Sequence, residues 1–138
     1  MKSNLLALLA DREAIGETLS AYCFHADSGD HKKRAALFTR DGVLETPQGT
    51  YSGRTAIEVF VGKSFPINGQ PARKHCVMNA IIELDGDLAE VQSYLIVVRE
   101  TEQSPAISFG GRYLDKLVKS NGVWLFQQRK VVSDLRAS

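Results

Sequence analysis

Three residues have side chains that could carry acid–base or charge-stabilising chemistry: Asp27, His75 and Arg129. Asp27 follows apolar residues at helical spacing, near the predicted end of the first helix, where the negative end of the helix dipole disfavours a carboxylate. A carboxylate held on that face needs a partner and suits general-base chemistry. The alternative is a solvent-exposed Asp in a turn between two helices, since turns favour this residue.

His75 begins a predicted strand, in which strict alternation places it on one face with Val77, Asn79, Ile81 and Glu83. If that face lines a pocket, both His75 and Asn79 project into it. An imidazole changes charge near neutral pH, and a neighbouring carboxylate would orient its ring. The alternative is a histidine at the end of a strand, half in water.

Arg129 lies in the last predicted strand, where it alternates with Gln127 and Val131. An inward-facing Arg is costly unless it meets an anion or a carboxylate. There it could stabilise a leaving anion or an oxyanion. In the alternative, Arg129 faces outward and Trp124 and Phe126 form the buried face. A β-bulge would exchange the two faces, so the sequence leaves both arrangements open.

Metal and thiol chemistry receive less support. The donor residues His25, Asp27, Asp30 and His31 straddle a helix end at a spacing that matches no metal motif, so no metal site is expected. The following run, residues 32–34, is interpreted as a solvated helix face. The two cysteines, residues 23 and 76, have no CxxC neighbour. A disulfide between them stays open, although a reduced, cytoplasmic protein is the simpler hypothesis.

Composition limits the class of protein. The chain has 138 residues, 43% of them hydrophobic and 24% charged, which predicts one globular domain over residues 1–138. A formal net charge of +1 argues against nucleic-acid binding. No apolar run approaches the roughly 18 residues of a membrane span. The N-terminal apolar run is too short for a signal peptide.

The chain is predicted to form helices first and strands second. One amphipathic helix covers residues 5–26, with a break near Ala10–Asp11, and Asp30 caps a short second helix through Phe38. Asp41-Gly42 is predicted as a turn. A third helix opens at residues 53–55, and a loop follows over Ser64–Ala72. The predicted strands are 43–46, 50–52, 74–85, 88–99, 107–119 and 123–132. This order predicts an α+β fold, with N-terminal helices packed in a strongly bent antiparallel sheet around a small-molecule pocket.

Four segments, in order, resemble the SnoaL-like branch of the nuclear transport factor 2-like superfamily: REAIGETLSAYCFHADSGD, LFTRDGVLETPQGTYSGRTAI, KHCVMNAIIELDGDLAEVQSY and GGRYLDKLVKSNGVWLFQQRKVVSD. The pattern is most similar to the group of scytalone dehydratase and hexachlorocyclohexane dehydrochlorinase. The resemblance implies a cone-shaped α+β barrel and an Asp–His dyad that acts as a base without metal or organic cofactor.

Carried over by position, the dyad falls on Asp27 and His75. In this interpretation Asp27 orients His75 and makes it more basic, and Arg129 matches an Arg that follows a G-x-W-x-F stretch. The expected activity is that of a dehydratase, dehydrohalogenase or isomerase on a small, mostly apolar molecule. The expected substrate-binding residues are Tyr22, Phe38, Asn79 and Tyr94.

The chain also departs from these enzymes. Tyr22 stands where the dehydrochlorinase has a Lys, Ala26 where scytalone dehydratase has a Tyr, and Tyr94-Leu95 where that enzyme has a second His. The alternative function is a non-catalytic small-molecule binder, or an assembly subunit resembling the β subunit of ring-hydroxylating dioxygenases. The resemblance further implies a homodimer or homotrimer formed through the outer face of the sheet.

Overall fold

The structure, a computed structural model, describes residues 2–64 and 72–135. Within these ranges the chain forms three helices and six strands. In chain order they are α1 (Lys2–Ser28), α2 (His31–Ala36), β1 (Phe38–Thr46), β2 (Gly49–Ser52), α3 (Arg54–Ser64), β3 (Arg73–Asp85), β4 (Leu88–Arg99), β5 (Ala106–Ser120) and β6 (Val123–Ser133).

The six strands form one sheet in the order β2-β1-β6-β5-β4-β3. Strands β3 to β6 make the predicted antiparallel meander, with bounds within a few residues of the prediction. Asn121 and Gly122 both have positive φ, as a two-residue hairpin turn requires. The sheet is mixed rather than purely antiparallel, because β1 runs parallel to β6.

The first helix packs its apolar side onto the sheet and forms part of the core. Ile15, Leu19, Tyr22 and Ala26 are buried at helical spacing. The predicted break near Ala10–Asp11 is wrong, because α1 is continuous. Asp11 is stabilised inside the helix by accepting hydrogen bonds from Trp124 Nε1 at 3.1 Å and Lys119 Nζ at 3.0 Å.

The second helix ends earlier than predicted. Asp30 caps α2 as expected, accepting from the backbone N–H of Lys33 at 3.0 Å. Phe38, however, begins β1 and is completely buried in the core. The predicted turn at Asp41-Gly42 is also wrong: this pair lies within β1, at an irregularity in the pairing with β6. Gly42 fits there because a Cβ would lie 3.1 Å from the carbonyl oxygen of Phe126.

The predicted loop between the third helix and the meander falls mostly outside the described residues. Ser64 is the last residue of α3, Ala72 precedes β3, and residues 65–71 are not described. Among the described residues, no helix combines the length and apolar character that a membrane span requires. The helices and the curved sheet together make the α+β cone in which the site is found.

Candidate functional site

A cavity of about 210 Å³ lies between the helices and the concave face of the sheet; we call it the central cavity. Its described lining is mainly aromatic and aliphatic, with three basic side chains. The aromatic members are Tyr22, Phe60, Phe109 and Tyr113, and the basic members are Arg34, Arg73 and His75. An apolar enclosure with a few convergent polar groups is typical of a small-molecule site.

Asp27 and His75 meet at this cavity. Asp27 lies in the last turn of α1, and its carboxylate accepts the backbone N–H of His75 at 3.0 and 3.1 Å. The same carboxylate is 2.7 Å from His75 Nδ1. Because an ionised carboxylate can only accept, Nδ1 carries the proton and Nε2 keeps its lone pair. The side chains are only 13% and 4% exposed, so the contact is shielded from water.

The surroundings of His75 favour its neutral form. Burial lowers the pKa of His75, the hydrogen bond to Asp27 raises it, and the charges of Arg34 and Arg73 lower it; the net pKa lies below the ordinary value of 6.5. Asp27 therefore raises the pKa of His75, as expected. Burial and the two guanidinium groups outweigh this effect of the carboxylate, so the net pKa is lowered. The imidazole is therefore neutral near pH 7, and its Nε2 lone pair can accept a proton, as a base requires.

Arg129 is inward-facing but lies behind the cavity wall. It is 0% exposed, is not among the described residues lining the central cavity, and donates through Nε and Nη2 to Asp115 at 2.9 and 3.1 Å. Its guanidinium carbon lies 3.4 Å from the ring centroid of Tyr113 and 4.3 Å from that of Tyr22. The structure therefore corrects the prediction that Arg129 contacts a bound molecule. The anion that Arg129 binds is the carboxylate of Asp115.

The last strand buries Arg129 on the same side as Trp124 and Phe126, because β6 contains a bulge; the alternative of an outward-facing Arg129 is wrong. The pairing of β5 with β6 shifts between Phe126 and Gln128 and leaves Gln127 as the extra residue. Trp124, Phe126 and Arg129 therefore all face inward. In the ion pair of Arg129 and Asp115, burial disfavours the charged form of both side chains. For Arg129 the attraction of Asp115 and Tyr113 prevails over burial, and its pKa is raised.

Asn79 and Tyr94 do not line the central cavity. The pairing of β3 with β4 shifts between Met78 and Ile81, and Asn79 lies in this bulge with a φ of 58°. Strict alternation therefore fails after Val77, and Asn79 is exposed. Tyr94 lies on the outer face of β4 and is 53% exposed. Asn tolerates positive φ better than most residues, which was the available signal for the bulge.

The two remaining residues predicted to bind substrate differ in their position relative to the cavity. Tyr22 lines the central cavity, and its hydroxyl oxygen accepts from Arg34 Nη2 at 3.1 Å. Phe38 is completely buried and packs edge-on to Tyr22, with ring centroids 6.1 Å apart, but it is not part of the described lining. Phe38 therefore supports Tyr22 from behind.

The two arginines of the cavity were missed in the sequence. Arg34 was assigned to a solvated charge run, yet it is only 4% exposed. The available signal was its spacing, three and four residues before the apolar Leu37 and Phe38. Arg73 begins β3 two residues before His75, and therefore on the same face.

Metal ligands and thiols complete the inventory of reactive groups. Within residues 2–64 and 72–135, no three His, Cys, Asp or Glu side chains are grouped so that they could hold a metal ion. Cys23 is buried and Cys76 half-buried, and both are free thiols.

Comparison with known proteins agrees with this architecture. The family model for a SnoaL-like domain matches residues 7–130. A protein of unknown function from Mycobacterium tuberculosis has 25% identity and a TM-score of 0.87, over 94% of this chain and 75% of its own. An NTF2-like protein with a cystatin-like fold from Novosphingobium aromaticivorans has 23% identity and a TM-score of 0.85, over 95% and 86%.

A third similar structure has a provisional enzymatic name. It is a protein from Novosphingobium aromaticivorans assigned provisionally as a scytalone dehydratase, with 25% identity and a TM-score of 0.79, over 92% of this chain and 86% of its own. No curated protein is significantly similar to the chain in sequence.

Proposed function

Because the chain belongs to the family of SnoaL-like domains, we propose that it is an acid–base enzyme of the lyase or isomerase type. The observation that carries the proposal is the 2.7 Å contact between Asp27 and His75 Nδ1 at the wall of an open central cavity. This contact orients a neutral imidazole in a pocket of small-molecule size. The similarity to the provisionally assigned scytalone dehydratase supports the same reaction class.

In the proposed reaction, His75 Nε2 takes a proton from a carbon beside a carbonyl or beside a leaving group. In an elimination, the C–H electron pair forms the new double bond, and the leaving group departs with its own electron pair. In an isomerisation, the resulting enolate takes the proton back at another carbon. Asp27 stabilises the imidazolium formed in either case. Positioned acid–base catalysis contributes about 10²–10⁴-fold to such a rate.

Two tyrosines of the lining are suited to hold the developing oxyanion. Burial raises the pKa of Tyr113, so its hydroxyl stays protonated and can donate. Tyr22 accepts from Arg34 and keeps its own proton for donation. Hydroxyl donors positioned in a shielded cavity stabilise charge that develops in a transition state.

A non-catalytic binder is the weaker proposal on geometric grounds. It predicts that Asp27 and His75 do not touch, or that side chains fill the pocket. The two residues share a short hydrogen bond, and the cavity is open.

The base is tested by hydrogen–deuterium exchange of 2-tetralone, a cyclic ketone with acidic protons beside its carbonyl, followed by NMR. We expect wild-type protein to accelerate the exchange over buffer. His75→Asn should lower the acceleration by about 100-fold or more, because Asn can keep the hydrogen bond to Asp27 but cannot accept the proton. The matched control is His25→Asn, a histidine of α1 outside the described cavity lining.

The pH profile adds a second criterion. The rate should rise with pH through an apparent pKa below 6.5, because only neutral His75 is active. In Asp27→Asn this apparent pKa should fall further, since the group that raises it is removed. Equal exchange in wild type and His75→Asn, or no acceleration by wild type, would remove the base from the proposal.

We also propose that the protein forms a homodimer or homotrimer through the outer face of its sheet. The exposed side of β3 and β4 carries Met78, Ile81 and Tyr94, which are 38%, 56% and 53% exposed. Contiguous apolar area on a sheet is typical of an association surface.

A further inference from the structure

The central cavity holds two guanidinium groups that proton transfer by His75 does not require. Arg34 comes from α2 and Arg73 from the start of β3, and both line the cavity together with His75. The described lining contains no Asp or Glu. Asp27, which contacts His75, is not part of that described lining.

The two positive charges are close enough to influence each other and His75. Burial, Arg99 and Arg34 together lower the pKa of Arg73. Arg34 is 4% exposed, and its guanidinium lies 4.6 Å from the ring centroid of Tyr22. A lining that presents two guanidinium groups favours an anionic ligand, because hydrogen bonds between opposite charges are strong in a site shielded from water.

We propose that the central cavity binds a cyclic or aromatic acid, with the carboxylate held by Arg34 and Arg73 and the ring against the aromatic lining. A guanidinium matches a carboxylate in shape and charge, and paired charge-assisted hydrogen bonds are strong in a shielded site. Phe60, Phe109 and Tyr113 supply the apolar surface for the ring. This inference rests on the proposed function and names its substrate class as anionic rather than merely apolar.

The geometry gives the carboxylate an orienting role. Arg73 and His75 are two residues apart on one face of β3, so an acid anchored at Arg73 lies beside the imidazole. The anchor would fix which ring carbon faces His75, and so which proton is removed. Arg34 and Arg73 would then determine specificity and position, while His75 performs the proton transfer.

The test compares 2-naphthoate with 2-naphthamide, an uncharged probe of nearly the same shape, by isothermal titration calorimetry. We expect 2-naphthoate to bind about tenfold or more tightly than the amide, as hydrogen bonds to a charged group predict. Arg73→Gln should remove most of this preference. Lys74→Gln is the matched control, because it removes the same charge from the adjacent, exposed position on the opposite face of β3.

Arg34→Met should also weaken the binding of 2-naphthoate. If this buried variant fails to fold, Arg73→Gln still decides the test, because Arg73 is partly exposed. Bound 2-naphthoate should also raise the pKa of His75 measured by NMR, which places the anion in this cavity. Equal affinity for the two probes, no naphthoate binding at millimolar concentration, or an equal loss in Lys74→Gln and Arg73→Gln would overturn the inference.

The binding test and the exchange test can fail independently, so their outcomes distinguish the two proposals. Exchange of 2-tetralone without a preference for 2-naphthoate would overturn the anionic substrate and leave His75 as the base. A preference for 2-naphthoate without exchange of either 2-tetralone or a cyclic ketone that also carries a carboxylate would leave a carboxylate-binding cavity and remove the enzymatic proposal.

Discussion

At the scale of single residues, burial and the charges around His75 determine its protonation. A carboxylate alone would have made His75 a stronger base, but burial and two arginines lower its pKa instead. The consequence is an imidazole that is neutral near pH 7 and still oriented by Asp27. A neutral base beside positive charge is suited to a reaction that generates an anion, because the same charges stabilise that anion.

The lowered pKa of His75 also makes folding stability depend on pH. The unfolded state takes up the proton near the ordinary pKa of 6.5, while the folded state resists protonation. Stability is therefore fully present above pH 6.5 and falls as the pH is lowered toward the folded pKa. The loss is at most about 1.4 kcal/mol per pH unit. Urea unfolding on both sides of pH 6.5 measures it.

His75→Asn is the control for that measurement, because it removes the titrating ring and can keep the hydrogen bond to Asp27. The difference in unfolding free energy between wild type and variant should shrink as the pH falls. The same pH slope in both proteins would show that His75 is not responsible.

Arg129 has a structural role that a second prediction tests. Its ion pair with Asp115 is 0% exposed on both sides, so Asp115→Asn leaves a buried charge without its anion. We expect a loss of about 3–5 kcal/mol in unfolding free energy. The double variant Asp115→Leu/Arg129→Met should recover most of it, because no charge then remains buried. A loss of under about 1 kcal/mol in Asp115→Asn would contradict this role.

At the scale of secondary-structure elements, bulges in the strands decide which side chains face the central cavity. In β3 the bulge at Asn79 ends the inward run of odd-numbered residues that contains His75 and Val77. In β6 the bulge at Gln127 turns Arg129 toward Asp115. Each extra residue reverses the alternation beyond it. Asn79 was misplaced for this reason, whereas Arg129 faces inward but binds Asp115.

The prediction at this scale concerns Gly111 of β5, which lies very close to the backbone of Val132. A Cβ at Gly111 would clash with the backbone of Val132, so Gly111→Ala should lower unfolding free energy by about 1–3 kcal/mol. The matched control is Gly16→Ala in α1, where no atom lies within 4 Å of the added Cβ. There we expect a gain of about 0.5–1 kcal/mol, because Ala is the better helix former. Equal effects in urea unfolding would refute the role of close packing.

At the scale of the whole molecule, the cone separates two surfaces of different character. Its inner side holds the central cavity, and its outer side exposes apolar residues such as Ile81 and Tyr94. Association through the outer side would leave the cavity accessible. The same sheet would then supply both the site and the contact between copies.

The oligomeric state checks that arrangement. We expect size-exclusion chromatography with light scattering to give a dimer or trimer for wild type, and a shift toward monomer for Ile81→Lys. A charge in the centre of an apolar interface is strongly unfavourable. Val59→Lys on α3, at a position 53% exposed, is the control and should leave the state unchanged. A monomeric wild type would contradict the proposal.

The sequence by itself determined the element order, the α+β class, the family resemblance, and Asp27 and His75 as candidate residues. These conclusions follow from local spacing: helical apolar periodicity in α1, a hairpin signal at Asn121-Gly122, and alternating strands. Local spacing also identified the cap at Asp30. Such features depend on residues near one another in the chain.

Only the tertiary structure decided which polar side chains share the central cavity. Arg34 was hidden in a basic run, and Arg129 was assigned to substrate rather than to Asp115. Arg34 is buried against Tyr22 of another helix, and Arg129 meets Asp115 beside a strand bulge that is not visible in a repeating pattern. The energy of a buried charge is set by its partners in space, so its role becomes readable only after the chain has folded.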